Sequence, residues 1–307
     1  MKKSRYLEDL IYNNQFHFHH LMIENIDNKE VAKIFSPEIL REEYCLFSNT
    51  VHSGDEYIRL LHSRVVQSIE NRTPLPVVRF ADGEYAFYRY TLGCNGLYRQ
   101  AESVEAIGHA MPRHVAALTY LAGRGILAPL IFPGNSQIPE RPFLTLKKDK
   151  RDATGAEFLD FLQQNHILLT PANYIPFYVI YAYLSSPAFA QAVDSRSICI
   201  LNSDNNKESC GRWFNQMNSF PKLSFVDIPK EYVATQWNTF KTAILEQIPV
   251  QTDLCIIGAG VGALLVCNDI AEKLSLPAID AGHVLNMMND RVDKSNGARL
   301  YTLRKPL

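Results

Sequence analysis

Cysteine is sparse and unpatterned in this chain: six residues, Cys45, Cys94, Cys199, Cys210, Cys255 and Cys267, form no C-x-x-C pair and no ladder of spacings. Cys199, Cys255 and Cys267 stand in apolar runs, so they are expected to be reduced core residues. No stretch reaches the roughly 20 consecutive apolar residues that span a bilayer. The opening, MKKSRYLEDLIYNNQ, is basic at first, but Glu8, Asp9 and Asn13 interrupt the place of a signal peptide's apolar region. Charge of one sign is missing too: 31 Lys and Arg stand against 32 Asp and Glu, a net −1. Nothing in that balance favours nucleic acid or an anionic membrane, so an anionic ligand must be held by local groups. G-x-S-x-G and Walker A patterns are absent, and no cysteine sits in a nucleophile motif, which argues against the usual hydrolases and NTPases. There is no internal repeat. The expectation is a cytoplasmic protein without a transmembrane segment and without a nucleic-acid partner.

What is present is an ordinary globular balance, with 47% hydrophobic and 21% charged residues over 307 positions. Residues 1–52 are rich in His, Asn and Glu and read as an N-terminal helical extension with a packing or homo-oligomer role. Within it, FHFHH (16–20) would put His17 and His19 on one face of a strand. Without partner ligands nearby, a polar surface is the plainer account.

From 53 the pattern sharpens. SGDE fits a capping box of Ser53 and Glu56, and Ile58, Leu61, Val65 and Ile69 follow at helical spacing. Short apolar runs then alternate with helical segments: VVRF (77–80), GILAPLIF (125–132), HILLT (166–170), SICIL (197–201), KLSFVDIP (222–229), DLCIIG (253–258) and PAID (277–280). PGNSQIP is expected to end the second of these strands, and Pro112 to bend or split the helix around it. Such runs separated by helices predict one α/β domain over 53–307. Its sheet should be Rossmann-like and mostly parallel, with helices on both faces.

Ligands of such sheets bind beyond the carboxyl ends of the strands. Three polar groups fall there: Arg79, Asp82 and Glu84 in RFADGE, Asn202 and Asp204 in NSDNN, and Asp280 and His283 in DAGH. Carboxylates two apart are hard ligands suited to Mg²⁺ or Mn²⁺, and an arginine beside them can clamp phosphate. The competing account is a charged helix start, with Asp82 as N-cap and Glu84 in the first turn. GAGVGA offers a second theme: Gly258, Gly260 and Ala263 fit G-x-G-x-x-A, with Asp280 placed 22 positions after Gly258. That spacing suits a dinucleotide, although this is the last crossover of the chain and little follows it. A tight turn facing a phosphate or sugar is the preferred use.

The passages VVRFADGE and CIIGAGVGALLVCNDIA…PAIDAGH together resemble the GT-D-type glycosyltransferases, over roughly 75–290 in segment order. Those are bacterial enzymes with a Rossmann-like sheet and a D-x-E metal motif after the first strand. Ala81 stands where the family pattern has glycine, and Ala281 where it has isoleucine. VLNMMND after the histidine lacks the family's further acidic residue, so the general base is left unassigned. The resemblance implies that Asp82 and Glu84 bind a divalent ion under a nucleotide diphosphate, that Arg79 contacts the phosphates, and that His283 is a ligand or acid/base group. It implies a UDP-sugar donor and a glycan or glycoprotein acceptor. An NAD(P)-dependent oxidoreductase using GAGVGA, and a non-catalytic sugar-nucleotide-binding protein, are the alternatives.

Overall fold

Strand β1 (Leu75–Phe80, LPVVRF) is buried at every position, which means that both faces of the sheet around it are covered. The computed structural model describes Leu7 and residues 54–96, 98–130, 155–170 and 172–291. The FHFHH motif, Cys45, Ser53 of the expected capping box and the PGNSQIP segment lie outside these residues.

Helix α1 (Gly54–Asn71) precedes β1, and α2 (Asp82–Tyr88) follows it after one residue. Next come α3 (Val104–Arg124), β2 (Ile126–Pro129), α4 (Gly155–Gln164), α5 (Phe177–Leu184) and α6 (Pro187–Val193). The second half runs β3 (Ser197–Asn202), α7 (Lys207–Gln216), β4 (Lys222–Asp227), α8 (Val233–Leu245), β5 (Leu254–Gly258), α9 (Ala263–Leu274), β6 (Pro277–Asp280) and α10 (His283–Met288). The six strands form one sheet in the order β2-β1-β6-β5-β3-β4, with every pairing parallel. This is the α/β, Rossmann-like arrangement that the apolar runs imply. Among the described residues, the first and last strands are neighbours, with Val77 beside Ile279. That pairing brings RFADGE and DAGH to one rim.

Helices α3, α8 and α9 pack on one another, as do α1, α5 and α6, and both groups contain helices that touch β1. Ser103 caps α3, accepting from the Ala106 N–H at 3.1 Å. Pro112 does not split α3, which runs unbroken to Arg124. Buried Ile107, Met111, Leu118 and Leu121 anchor it on either side of the missing N–H. HILLT likewise forms no strand of the sheet: His166 closes a turn at positive φ, Leu168 is exposed, and Leu169 makes only an isolated bridge. A short apolar run has no periodicity by which to exclude that outcome. The five described cysteines are buried and free. No helix of the described residues is long and apolar enough to cross a membrane.

His114 ties α2, α3 and α8 together. It is fully buried, its Nε2 donates to the Ala234 carbonyl at 2.9 Å, and its Nδ1 accepts from the Tyr88 hydroxyl at 3.3 Å. A carbonyl can only accept, which sets the tautomer. Burial pushes the imidazole down from 6.5 to about 4. The unfolded chain therefore takes up this proton first, and stability falls as pH drops from 6.5 towards 4. The expected loss is about 3 kcal/mol at full protonation. Urea denaturation at pH 7 and pH 4.5 checks it: His114→Gln should show a flatter acid limb than the wild type, and equal limbs would refute the assignment.

Candidate active site at the carboxyl ends of four strands

The carboxyl ends of β1, β6, β5 and β3 open into one cavity of about 920 Å³. Asp82, Glu84 and His283 line it, together with Arg79, Asn202, Gly258 and Gly260. Segments 200 residues apart in sequence thus share a wall because β1 and β6 are adjacent.

Helix α2 starts directly after β1, with Ala81 in extended conformation as its N-cap. Glu84, in the first turn, accepts the Ala81 N–H through Oε2 at 2.8 Å. That is half a capping box, so the plain helix-start account holds for one oxygen of one acid. Asp82 is exposed on the cavity wall and makes no hydrogen bond or ion pair among the described residues. Burial raises the Glu84 carboxyl to about 7, and the nearby Asp280 charge adds to the rise. His283 begins α10 and is held below its usual value, chiefly by burial and then by the Arg79 guanidinium. It therefore faces the cavity as neutral imidazole at neutral pH.

Arg79, expected to clamp phosphate, is committed elsewhere. Its Nε donates to the Asp280 carbonyl at 3.0 Å, and Nη2 donates to the Asp280 carboxylate at 2.9 and 3.1 Å. Nη1 donates to the Tyr181 hydroxyl at 2.8 Å, and the guanidinium lies 5.1 Å from the ring centroids of both Phe177 and Tyr181. Gly282 makes room for it: at φ +45 it has no Cβ, and one placed there would come within 1.6 Å of Nη2. The arginine is thus a buried tie between β1 and the turn that presents His283.

The same tie removes Asp280 from ligand binding. Asp280 is 2% exposed, off the cavity wall, and its carboxylate also accepts the Gly282 N–H at 3.1 Å. It has no free oxygen to offer a ribose. Gly260, at φ +53, turns its open side to the Gln100 side chain, whose Oε1 accepts the Val261 N–H at 3.0 Å. Gln100 thereby takes up one N–H of the turn that a dinucleotide pyrophosphate would need, although Gly258 and Gly260 still line the cavity. Asp204 is also off the cavity wall: its carboxylate pairs with Arg291 at 2.8 Å.

Among the described residues, no group of three or more His, Cys, Asp and Glu is arranged to hold a metal ion. Asp82, Glu84 and His283 share the cavity without forming a three-ligand cluster. Two carboxylates suit an ion that takes its other ligands from phosphate and water, as Mg²⁺ commonly does. The wall also contains Tyr98, Gln100 and Lys230, which no motif marks in the sequence. Only the place of Lys230, three residues past the end of β4, could have drawn attention to it.

Residues 158–288 match the family model of the GT-D fold-like domain. The chain carries a GT-D-like domain. The matched GT-D-like stretch begins in α4 and ends with α10, so it includes β3 to β6 and His283 but not β1 or the Asp82–Glu84 pair. Neither the curated proteins nor the solved structures gave a match. The GT-D-like match over 158–288 fits a glycosyltransferase-type fold, and the all-parallel sheet agrees with it.

Proposed function

We propose that this protein is a metal-dependent glycosyltransferase moving a sugar from a UDP-sugar to a hydroxyl of a glycan or glycoprotein. The observation that supports it most is the meeting of Asp82, Glu84 and His283 in one cavity at the strand ends of a GT-D-like fold. Asp82 and Glu84 would hold Mn²⁺ or Mg²⁺. Bound there, such an ion supplies charge neutralisation for the departing diphosphate. The two acids alone would repel a donor that carries about two negative charges.

His283 acts on this reading as a proton acceptor for the incoming hydroxyl. Its neutral form favours that role, since a base must start deprotonated. The lack of a three-ligand cluster favours it over metal ligation. Arg79 contributes by holding the Asp280–Gly282 turn from which His283 projects.

The NAD(P) alternative would need Asp280 at a ribose, and its carboxylate is taken up by Arg79 and the Gly282 N–H. A binding protein without turnover would use the same cavity and differ only in lacking transfer. Thermal melts test the main reading, because a ligand of the native state stabilises it by mass action. UDP with Mn²⁺ should raise the melting temperature, NAD(H) should not, and hydrolysis of UDP-sugars should require the metal. The reverse pattern of shifts would overturn the proposal, and a shift without hydrolysis or transfer would reduce it to binding.

A further inference from the structure

We infer that the β3–β5 half of the cavity is a nucleoside subsite, in which Asn202 Oδ1 accepts a hydrogen bond from the nucleoside and Lys230 pairs with its phosphate. This rests on the sugar-nucleotide reading and extends it to residues outside the acidic pair.

The cations of the cavity wall decide the second part. Three line it: Arg79, Arg89 and Lys230. Arg79 is tied to Asp280 at 2.9 Å, and Arg89 pairs with Glu157 at 3.1 Å. Lys230 is exposed and lies 5.3 Å from the Tyr98 ring centroid, with no carboxylate partner among the described residues. An ammonium so placed is available to an anion, whereas the arginines already have their counter-charges.

The first part comes from the floor. Asn202 ends β3 and is only 7% exposed. Its Nδ2 donates to the Asp204 carbonyl at 3.2 Å, which identifies the other amide atom as the acceptor. Oδ1 has no donor among the described residues, although the side chain lines the cavity. Oδ1 is not sealed from the cavity, so a ligand donor can reach it. Gly258 keeps it open: a Cβ there would come within 3.0 Å of Oδ1. A glycine of the expected dinucleotide motif thereby gains another reason to be glycine. An acceptor on the cavity floor selects a ligand donor, and a uridine nucleotide offers three, the base imide N–H and the 2′ and 3′ ribose hydroxyls. Tyr98, half-buried on the same wall, gives this end an aromatic surface.

Calorimetric titration with Mn²⁺ present tests this, using UDP, 2′-deoxy-UDP, 3′-deoxy-UDP and CDP against the wild type, Asn202→Ala and Lys230→Met. Each variant should weaken UDP about tenfold. A base contact predicts that the wild type prefers UDP to CDP and that Asn202→Ala erases the preference. A ribose contact predicts the same pattern for UDP over whichever deoxy ligand lacks the bonded hydroxyl. Wild-type affinity for UDP in either variant overturns the role of that residue, and an Asn202→Ala loss equal for all four ligands overturns the hydrogen bond. Lys230 is exposed, so its variant cannot fail merely by not folding. If the wild type itself ignores UDP with Mn²⁺, the sugar-nucleotide reading falls instead.

Discussion

Asp82→Asn should cut metal-dependent transfer by about 10²–10³-fold, the cost of losing one preorganised electrostatic contact with the leaving group. The same variant should melt within roughly 2 °C of the wild type, since a surface substitution that breaks no buried contact seldom matters more. The reason lies in where the side chain points. Asp82 is exposed, touches the cavity and has no hydrogen bond or ion pair among the described residues, so its carboxylate serves no structural partner.

Glu84→Gln separates the two roles of the second acid. Glutamine Oε1 can still accept the Ala81 N–H that now reaches Glu84 at 2.8 Å, so the start of α2 is kept. A half-buried charge disappears, so the metal-free variant should melt no lower than the wild type. Transfer, and the added stability from Mn²⁺ with UDP, should both be lost. Assays of transfer alongside melts with and without Mn²⁺ read both outcomes. Full metal-dependent transfer in either variant would remove the acids from the site.

How much of this was legible in the sequence depends on which physics wrote it. The sheet was, because strands covered on both faces read as near-continuous apolar runs such as ICIL and CIIG. HILLT reads the same way and is not a strand of the sheet, since a few apolar residues can also line an irregular segment over the core, here with a single bridge at Leu169. Helices α6 and α7 carry too short or too polar a pattern to stand out in PAFAQAV and KESCGRWFNQ. At the site, Asp82, Glu84 and His283 were visible because strand ends are where polar residues gather. The partnership of Arg79 with Asp280 was not: the two are 201 residues apart, and only the β1–β6 pairing joins them. Local spacing therefore gave Asp280 to a cofactor and Arg79 to a phosphate. Lys230 and Gln100 belong to loops whose geometry leaves no periodic trace.

Replacing Arg79 alone should be among the most damaging single changes to the fold. Arg79→Met removes three contacts to Asp280 and one to Tyr181, and leaves a 2%-exposed carboxylate with only the Arg79 and Gly282 backbone N–H groups as donors. Stranding a buried charge costs about 3–5 kcal/mol. Gly282→Ala should do comparable harm from the other side, through a clash with the guanidinium at a left-handed backbone position. If the damage comes from the stranded charge, adding Asp280→Leu to Arg79→Met should restore much of the stability, because a buried ion pair is often replaceable by apolar groups of similar size. Denaturant unfolding of the two single variants and the double variant measures this coupling directly. Additive losses would mean that the pair contributes through separate packing and not as one unit. The restored double variant would then serve as a further probe: with the Asp280 side chain gone, the Gly282 N–H loses its acceptor and the turn carrying His283 is held less firmly. Transfer in that protein should stay low while its stability recovers, which distinguishes a residue that positions the histidine from one that only supports the fold.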